Sequence, residues 1–98
     1  MRVCDWPAPD QPRNRLLSQG PDGLADAELV AVCLGAGGGR NDVVAFAREL
    51  LARFGGLPGL LHADAHALLR VPGLGPAKVA ALMASMALAE RCHGRNLA

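Results

Sequence analysis

Ala65-His66-Ala67-Leu68-Leu69-Arg70-Val71-Pro72-Gly73-Leu74-Gly75-Pro76-Ala77-Lys78-Val79-Ala80 is the stretch that decides the reading of this chain. It opens as a short apolar helix, breaks at Val71 to Gly75, and restarts at Pro76 as a longer helix. Proline suits a first helical position, because its φ is already helical and the N–H it lacks has no partner there. Gly73 and Gly75 admit backbone torsions that a side chain disfavours, and they let a surface approach the main chain. Leu74, held between them, is expected to point back and pin the two helices. The first amides of the second helix have no intrahelical acceptor and lie at the positive end of its dipole. That combination is an anion site. Pro76 offers no N–H, but Gly75, Ala77 and Lys78 do, and Lys78 adds a mobile positive charge. This is the pattern of a helix-hairpin-helix with its hairpin at 71–75. The candidate DNA-phosphate-binding residues are therefore Gly73, Leu74, Gly75, Ala77 and Lys78. Contacts to backbone phosphate carry no base information, so the expected binding is not sequence-specific. The competing reading is a hairpin that only packs two helices or meets another domain.

Outward from this hairpin the chain reads as short helices punctuated by glycine. Arg13 to Gln19 forms a first helix between Pro12 and Gly20. Asp26 to about Leu34 forms a second, with Leu29, Val30 and Cys33 on one face. A third opens at Arg40 or Asn41 and ends at Phe54, with Val43, Phe46, Ala47, Leu50, Leu51 and Phe54 at helical spacing. Gly55 and Gly56 supply its stop. Leu57 to Leu61 is one turn opened by Pro58. Asp64 is the expected N-cap of a helix through Arg70, and the last helix runs from Pro76 to Cys92 or His93. The second and third helices, joined by Gly35 to Arg40, look like a degenerate first copy of the hairpin unit. Gly37, Gly38 and Arg40 are its possible secondary DNA contact, against a plain connector as the alternative. The expected architecture is all-α: a compact bundle of about five short helices, a tandem helix-hairpin-helix whose second copy is well formed.

Composition agrees with this class. The chain has 98 residues, room for one small domain. It is 51% apolar but only 3% aromatic, and it lacks Tyr and Ile, so the apolar count is mostly Ala and Leu. Those residues favour helix over strand, which argues against a β-sandwich or barrel. With 19% charged residues and a net charge of +1, intrinsic disorder is also disfavoured. No apolar run has the length of a membrane span, and Met1 to Asp5 has no signal-like apolar segment. Three scattered cysteines, Cys4, Cys33 and Cys92, make no disulfide framework, so a reducing, cytoplasmic setting is expected. The near-neutral charge hides a gradient. Met1 to Leu34 carries a net −2, Gly35 to Asp64 is balanced, and Ala65 to Ala98 carries +3. The basic end contains the glycine hairpin. Nine of the ten basic residues are Arg, which fits phosphate binding or simply a GC-rich genome.

Asp5-Trp6-Pro7, Pro12-Arg13-Asn14-Arg15-Leu16-Leu17, Gly20-Pro21, Leu24-Ala25-Asp26-Ala27-Glu28-Leu29, Leu51-Ala52-Arg53-Phe54-Gly55-Gly56-Leu57, Pro72-Gly73-Leu74-Gly75-Pro76-Ala77-Lys78 and Ala87-Leu88-Ala89-Glu90-Arg91 follow one another along nearly the whole chain. In that order they resemble the N-terminal domain of the bacterial RadC family (UPF0758 type). The resemblance implies a DNA-repair-type protein. It also implies a helix-hairpin-helix domain at 13–98 after an N-terminal arm at 1–12, with a JAB/MPN-type metalloprotease-like domain downstream. That downstream domain is not in this chain, and its zinc ligands have no counterpart here; it is an expected partner of the domain within the same protein. Two departures from the family pattern stand out. The family has Ser where Ala25 sits, forming a capping box with Glu28; its loss costs about 1 kcal/mol unless Asp22 or Asp26 substitutes. The family also has a Leu-Arg-Thr-Gly-like loop where this chain has Leu34-Gly35-Ala36-Gly37.

The remaining features point away from chemistry. His62 and His66 are four apart, as metal ligands on a helix can be, but no third ligand accompanies them. Cys92-His93 reads as a helix end, and Trp6 as an anchor for the arm. No catalytic residue, metal or cofactor is assigned, and the chain is not expected to be an enzyme. A glycosylase with a similar double hairpin needs a larger domain for its catalytic Lys and Asp, and the single lysine here lies in the hairpin. Two readings from different classes remain: a DNA-binding module on the phosphate backbone, or a protein-interaction module that keeps the fold without DNA. In the last helix Val79, Leu82, Met83 and Met86 form one stripe and Leu88 lies nearly opposite Val79. An exposed apolar spot at Leu88 is therefore expected.

Overall fold

The computed structural model describes residues 11–35 and 42–94, and among these it contains six α-helices and no strand. They are α1 (Pro12–Gln19), α2 (Asp26–Leu34), α3 (Val43–Phe54), α4 (Leu57–Leu61), α5 (Ala65–Leu69) and α6 (Pro76–Gly94), with a single 3-10 turn at Pro21–Gly23 after α1. The all-α reading holds; the short turn at Leu57–Leu61 is a helix in its own right, which brings the count above five.

The centre of the molecule is α2 against α3, the most extensive pairing of the fold. α2 buries Ala27, Val30, Ala31 and Leu34, spaced as one helical face. The expected face of Leu29, Val30 and Cys33 is thus rotated: Cys33 is exposed and Leu29 only half-buried. Alanines at 27 and 31 let α3 come close, and close approach decides the face over side-chain size. α3 buries Val44, Phe46, Ala47 and Leu50, while Val43, Leu51 and Phe54 pack at the edge. Leu60 of α4, Leu68 of α5 and Val79 and Leu82 of α6 complete the same core.

Local chemistry sets the ends. α3 begins at Val43, two or three residues later than expected, because the Asp42 carboxylate accepts from the amides of Val44 and Ala45 at 3.0 and 3.2 Å. Asn41 and Arg40 lie outside the described residues, as do the arm and Trp6. α3 stops where Gly55 enters the left-handed region at φ 78. The amides of Gly55 and Gly56 then reach back to the carbonyls of Ala52 and Leu51. Directly after it, α4 crosses so tightly that a Cβ on Gly59 would lie 1.8 Å from the Phe54 carbonyl oxygen. Nothing in the spacing of the sequence announces that requirement.

The missing cap at Ala25 is offset in part. Glu28 still reaches back to the Ala25 amide at 2.9 Å, which is half of the capping box. The other half is gone, because alanine has no acceptor. Neither Asp22 nor Asp26 takes its place by a side-chain bond at this helix start. Glu28 is in turn held by an ion pair with Arg15 of α1, whose second nitrogen donates to the Gly23 carbonyl at 2.6 Å. One guanidinium therefore ties α1, the 3-10 turn and the start of α2 together.

Candidate nucleic-acid interface

The hairpin between α5 and α6 is built by three successive devices. Asp64 caps α5, its carboxylate accepting from the Ala67 amide at 2.8 Å. α5 closes after one turn, with the Val71 amide bonded to the Leu68 carbonyl at 3.1 Å. Val71-Pro72-Gly73-Leu74 then forms a tight turn closed by the Leu74 amide and the Val71 carbonyl, again at 3.1 Å. Proline second and a glycine third, at φ 87, is the sequence requirement of a type II turn. Val71 and Leu74 are buried on either side of the turn, so the hairpin is anchored in the core at both shoulders. Leu74 is buried in the core, and its own amide is already bonded inside the turn.

The first intrahelical bond of α6 runs from the Val79 amide to the Gly75 carbonyl at 3.0 Å. The amides of Gly75, Ala77 and Lys78 find no acceptor among the described residues, as expected for the first turn of a helix. Behind them stands a helix of 19 residues, whose dipole places partial positive charge at these donors.

Gly75 differs from Gly73 in a way the sequence does not reveal. Only Gly73 has a positive φ. A Cβ built on Gly75 would meet nothing within 4 Å. Neither torsion nor internal packing demands a glycine at 75, so the expectation that both glycines serve unusual torsions holds for Gly73 alone. What glycine does at 75 is leave the main chain bare to the outside.

An open surface depression lies over this spot, lined by Leu69, Val71, Gly73, Leu74, Gly75, Pro76, Ala77 and Lys78. All five residues of the sequence-derived site line it. Lys78 is half-exposed at its rim and Arg70 is exposed at the end of α5. From Ala65 to Ala89 the chain has no Asp or Glu, so nothing within this segment opposes those two charges. The chemistry of the depression, with the free amides of Gly75, Ala77 and Lys78 among its lining residues and the Lys78 side chain at its rim, suits a singly or doubly charged oxyanion.

The other sequence-derived features do not join this site. Gly37, Gly38 and Arg40 lie outside the described residues. His62 ends α4 with its Nδ1 2.9 Å from the Pro58 carbonyl, a local helix-end contact. No group of three or more His, Cys, Asp or Glu side chains gathers as metal ligands would among the described residues. The pairing of Arg15 with Glu28, which no motif in the sequence announces, is structural rather than part of the hairpin. The two lie 13 positions apart, beyond the reach of any local pattern.

Comparison with known proteins supplies the family. The family model described as UPF0758 N-terminal matches residues 3–80. A UPF0758 protein of Nitrosospira multiformis is 50% identical over 97 residues, covering 99% of this chain and 43% of the relative. A UPF0758 protein of Halorhodospira halophila is 45% identical over 97 residues, with the same two coverages. One from Idiomarina loihiensis is 47% identical over 91 residues, covering 93% of this chain and 41% of its own length. The chain thus spans about two-fifths of the curated relatives it matches. No solved structure matches it. No helix among the described residues is long and apolar enough to cross a membrane. Family model and relatives together place this chain in the UPF0758, RadC-like family, where it corresponds to the N-terminal region.

Proposed function

We propose that this chain is a non-catalytic DNA-binding module that grips the phosphate backbone without sequence preference. In this reading α5, the turn and α6 act as a helix-hairpin-helix, and α2 and α3 form its degenerate first copy. A phosphate oxygen accepts from the amides of Gly75, Ala77 and Lys78, while the Lys78 ammonium and Arg70 guanidinium neutralise the neighbouring charge. The observation that carries the reading is Gly75, a glycine that neither the fold's torsions nor its packing requires, whose main chain is open to an approaching ligand. The resemblance to RadC-type proteins adds a setting, the handling of DNA in the cytoplasm by a repair-type protein. The exposed cysteines Cys33 and Cys92, both free, suit that compartment.

The test is a fluorescence anisotropy titration with two duplexes of unrelated sequence and one branched junction, each at two salt concentrations. The expected result is similar affinity for both duplexes. Affinity should fall with salt at a log–log slope of about −0.9 per phosphate contacted. Binding that ignores salt, or no binding to any of the three DNAs, would overturn the reading. It would leave a module that keeps the hairpin for protein contact alone.

A further inference from the structure

The middle of α6 is apolar around its whole circumference, yet the molecule covers only one side of it. From Val79 to Ala89 there is no charged residue, and Ser85 is the single polar one. The Ser85 hydroxyl turns back to the Ala81 carbonyl of its own helix at 2.8 Å, so it presents no free donor outward. Val79 and Leu82 are buried and Met86 is half-buried. The opposite face, Ala80, Ala81, Ala84, Ala87 and Leu88, is exposed throughout, Leu88 to 65%. A helix apolar all round is normally enclosed. A surface helix normally carries charge on its outer face, as α3 does with Arg48, Glu49 and Arg53.

The relatives are longer than this match. Their similarity runs over 97 of the 98 residues, through all of α6, and accounts for only 43% of their length. The matching family model is that of an N-terminal region, so the greater part of each relative follows α6. Whatever follows α6 is covalently tethered beside this face, at an effective concentration no free partner matches. We propose that the outer face of α6 is the seat of the downstream part of the full-length family protein, and that Leu88 with the alanines around it is the contact. The alanines allow a helix or sheet of that part to approach α6 closely. Docking there leaves the α5–α6 hairpin, at the other end of the helix, free for its own ligand.

Hydrogen–deuterium exchange tests this on two forms. One is the 98-residue chain. The other is the same chain joined at Ala98 to the part of the Nitrosospira multiformis relative that lies beyond its match. Sedimentation reports the oligomeric state of both. In the joined form, amides 82–90 should exchange slower by at least about tenfold while the protein stays monomeric. The double substitution Ala84→Glu with Leu88→Glu should abolish that slowing. Both positions are exposed, so the melting temperature of the 98-residue chain should be unchanged by it, which separates lost docking from lost folding. Equal exchange in the two forms would overturn the proposal. So would slowing that appears only in a concentration-dependent dimer of the 98-residue chain, since the occupant would then be a second copy. The outcome does not depend on DNA binding, so this proposal and the proposed function fail separately.

Discussion

The α2–α3 half and the α5–α6 half share one plan, a short helix, a glycine-bearing connector and a longer helix, and they use it in opposite ways. α2 and α3 turn their apolar residues toward each other: Ala31, Val44, Phe46, Ala47 and Leu50 are essentially sealed from solvent. α5 and α6 seal only Leu68, Val71, Leu74, Val79 and Leu82, and leave a bare glycine and an uncharged helix face outside. The first half therefore carries stability, and the second carries surfaces. In a domain this small the two tasks are divided because the core is limited. Residues near the hairpin can face outward only because α2 and α3 hold the fold.

This division can be broken by substitution. Phe46→Ala should produce the largest effect, a loss of about 3–5 kcal/mol in chemical denaturation, because the ring is fully enclosed. A loss under about 1 kcal/mol would mean that α2 and α3 are not the core. The two hairpin glycines sharpen the contrast. Gly73→Val should destabilise by about 1–2 kcal/mol, since it forces a branched side chain to a positive φ. Gly75→Val should cost less, about 1 kcal/mol at most, because it alters a helix start in open space. In the binding titration the order reverses. Gly75→Val and Lys78→Glu should each remove most DNA affinity at a temperature where both remain folded by circular dichroism. If Gly75→Val binds like the parent, the bare backbone at 75 has no ligand.

Smaller effects probe the seam between α1 and α2. Arg15→Ala removes an ion pair and a carbonyl bond at a partly buried site and should cost about 1 kcal/mol. Its DNA affinity should stay within about twofold of the parent if Arg15 is structural, a change under about half a kcal/mol. Ala25→Ser restores the absent half of the capping box beside the existing Glu28 contact. It should raise stability by about 0.5–1 kcal/mol, read as a higher denaturation midpoint.

Much of the fold was readable because its signals are local. Asp64 before an apolar run, Gly55-Gly56 after one, and Pro72-Gly73 between two helices each act within five residues. The exposure of Leu88 also followed from angle alone. What escaped was decided by distance in three dimensions. The buried face of α2 turned on alanines that gain importance only against α3. Met83, placed in the core stripe by spacing, sits at its edge, 44% exposed. Gly59 is required by a carbonyl five residues earlier that the chain folds back upon. Arg15 and Glu28 meet across two helices. Of the candidate site, the grouping of the hairpin residues around one depression was legible, but the difference between Gly73 and Gly75 was not. Both look alike in sequence, and only the torsion of one and the open space over the other tell them apart.

Whether α6 meets DNA with the bare amides of its first turn, as proposed, is tested most directly by amide chemical shifts in an NMR titration with a short duplex. The amides of Gly75, Ala77 and Lys78 should shift most and return as salt is raised, while those of α2 and α3 stay in place. Largest shifts in α2 or α3, or none at the hairpin at saturating duplex, would contradict it.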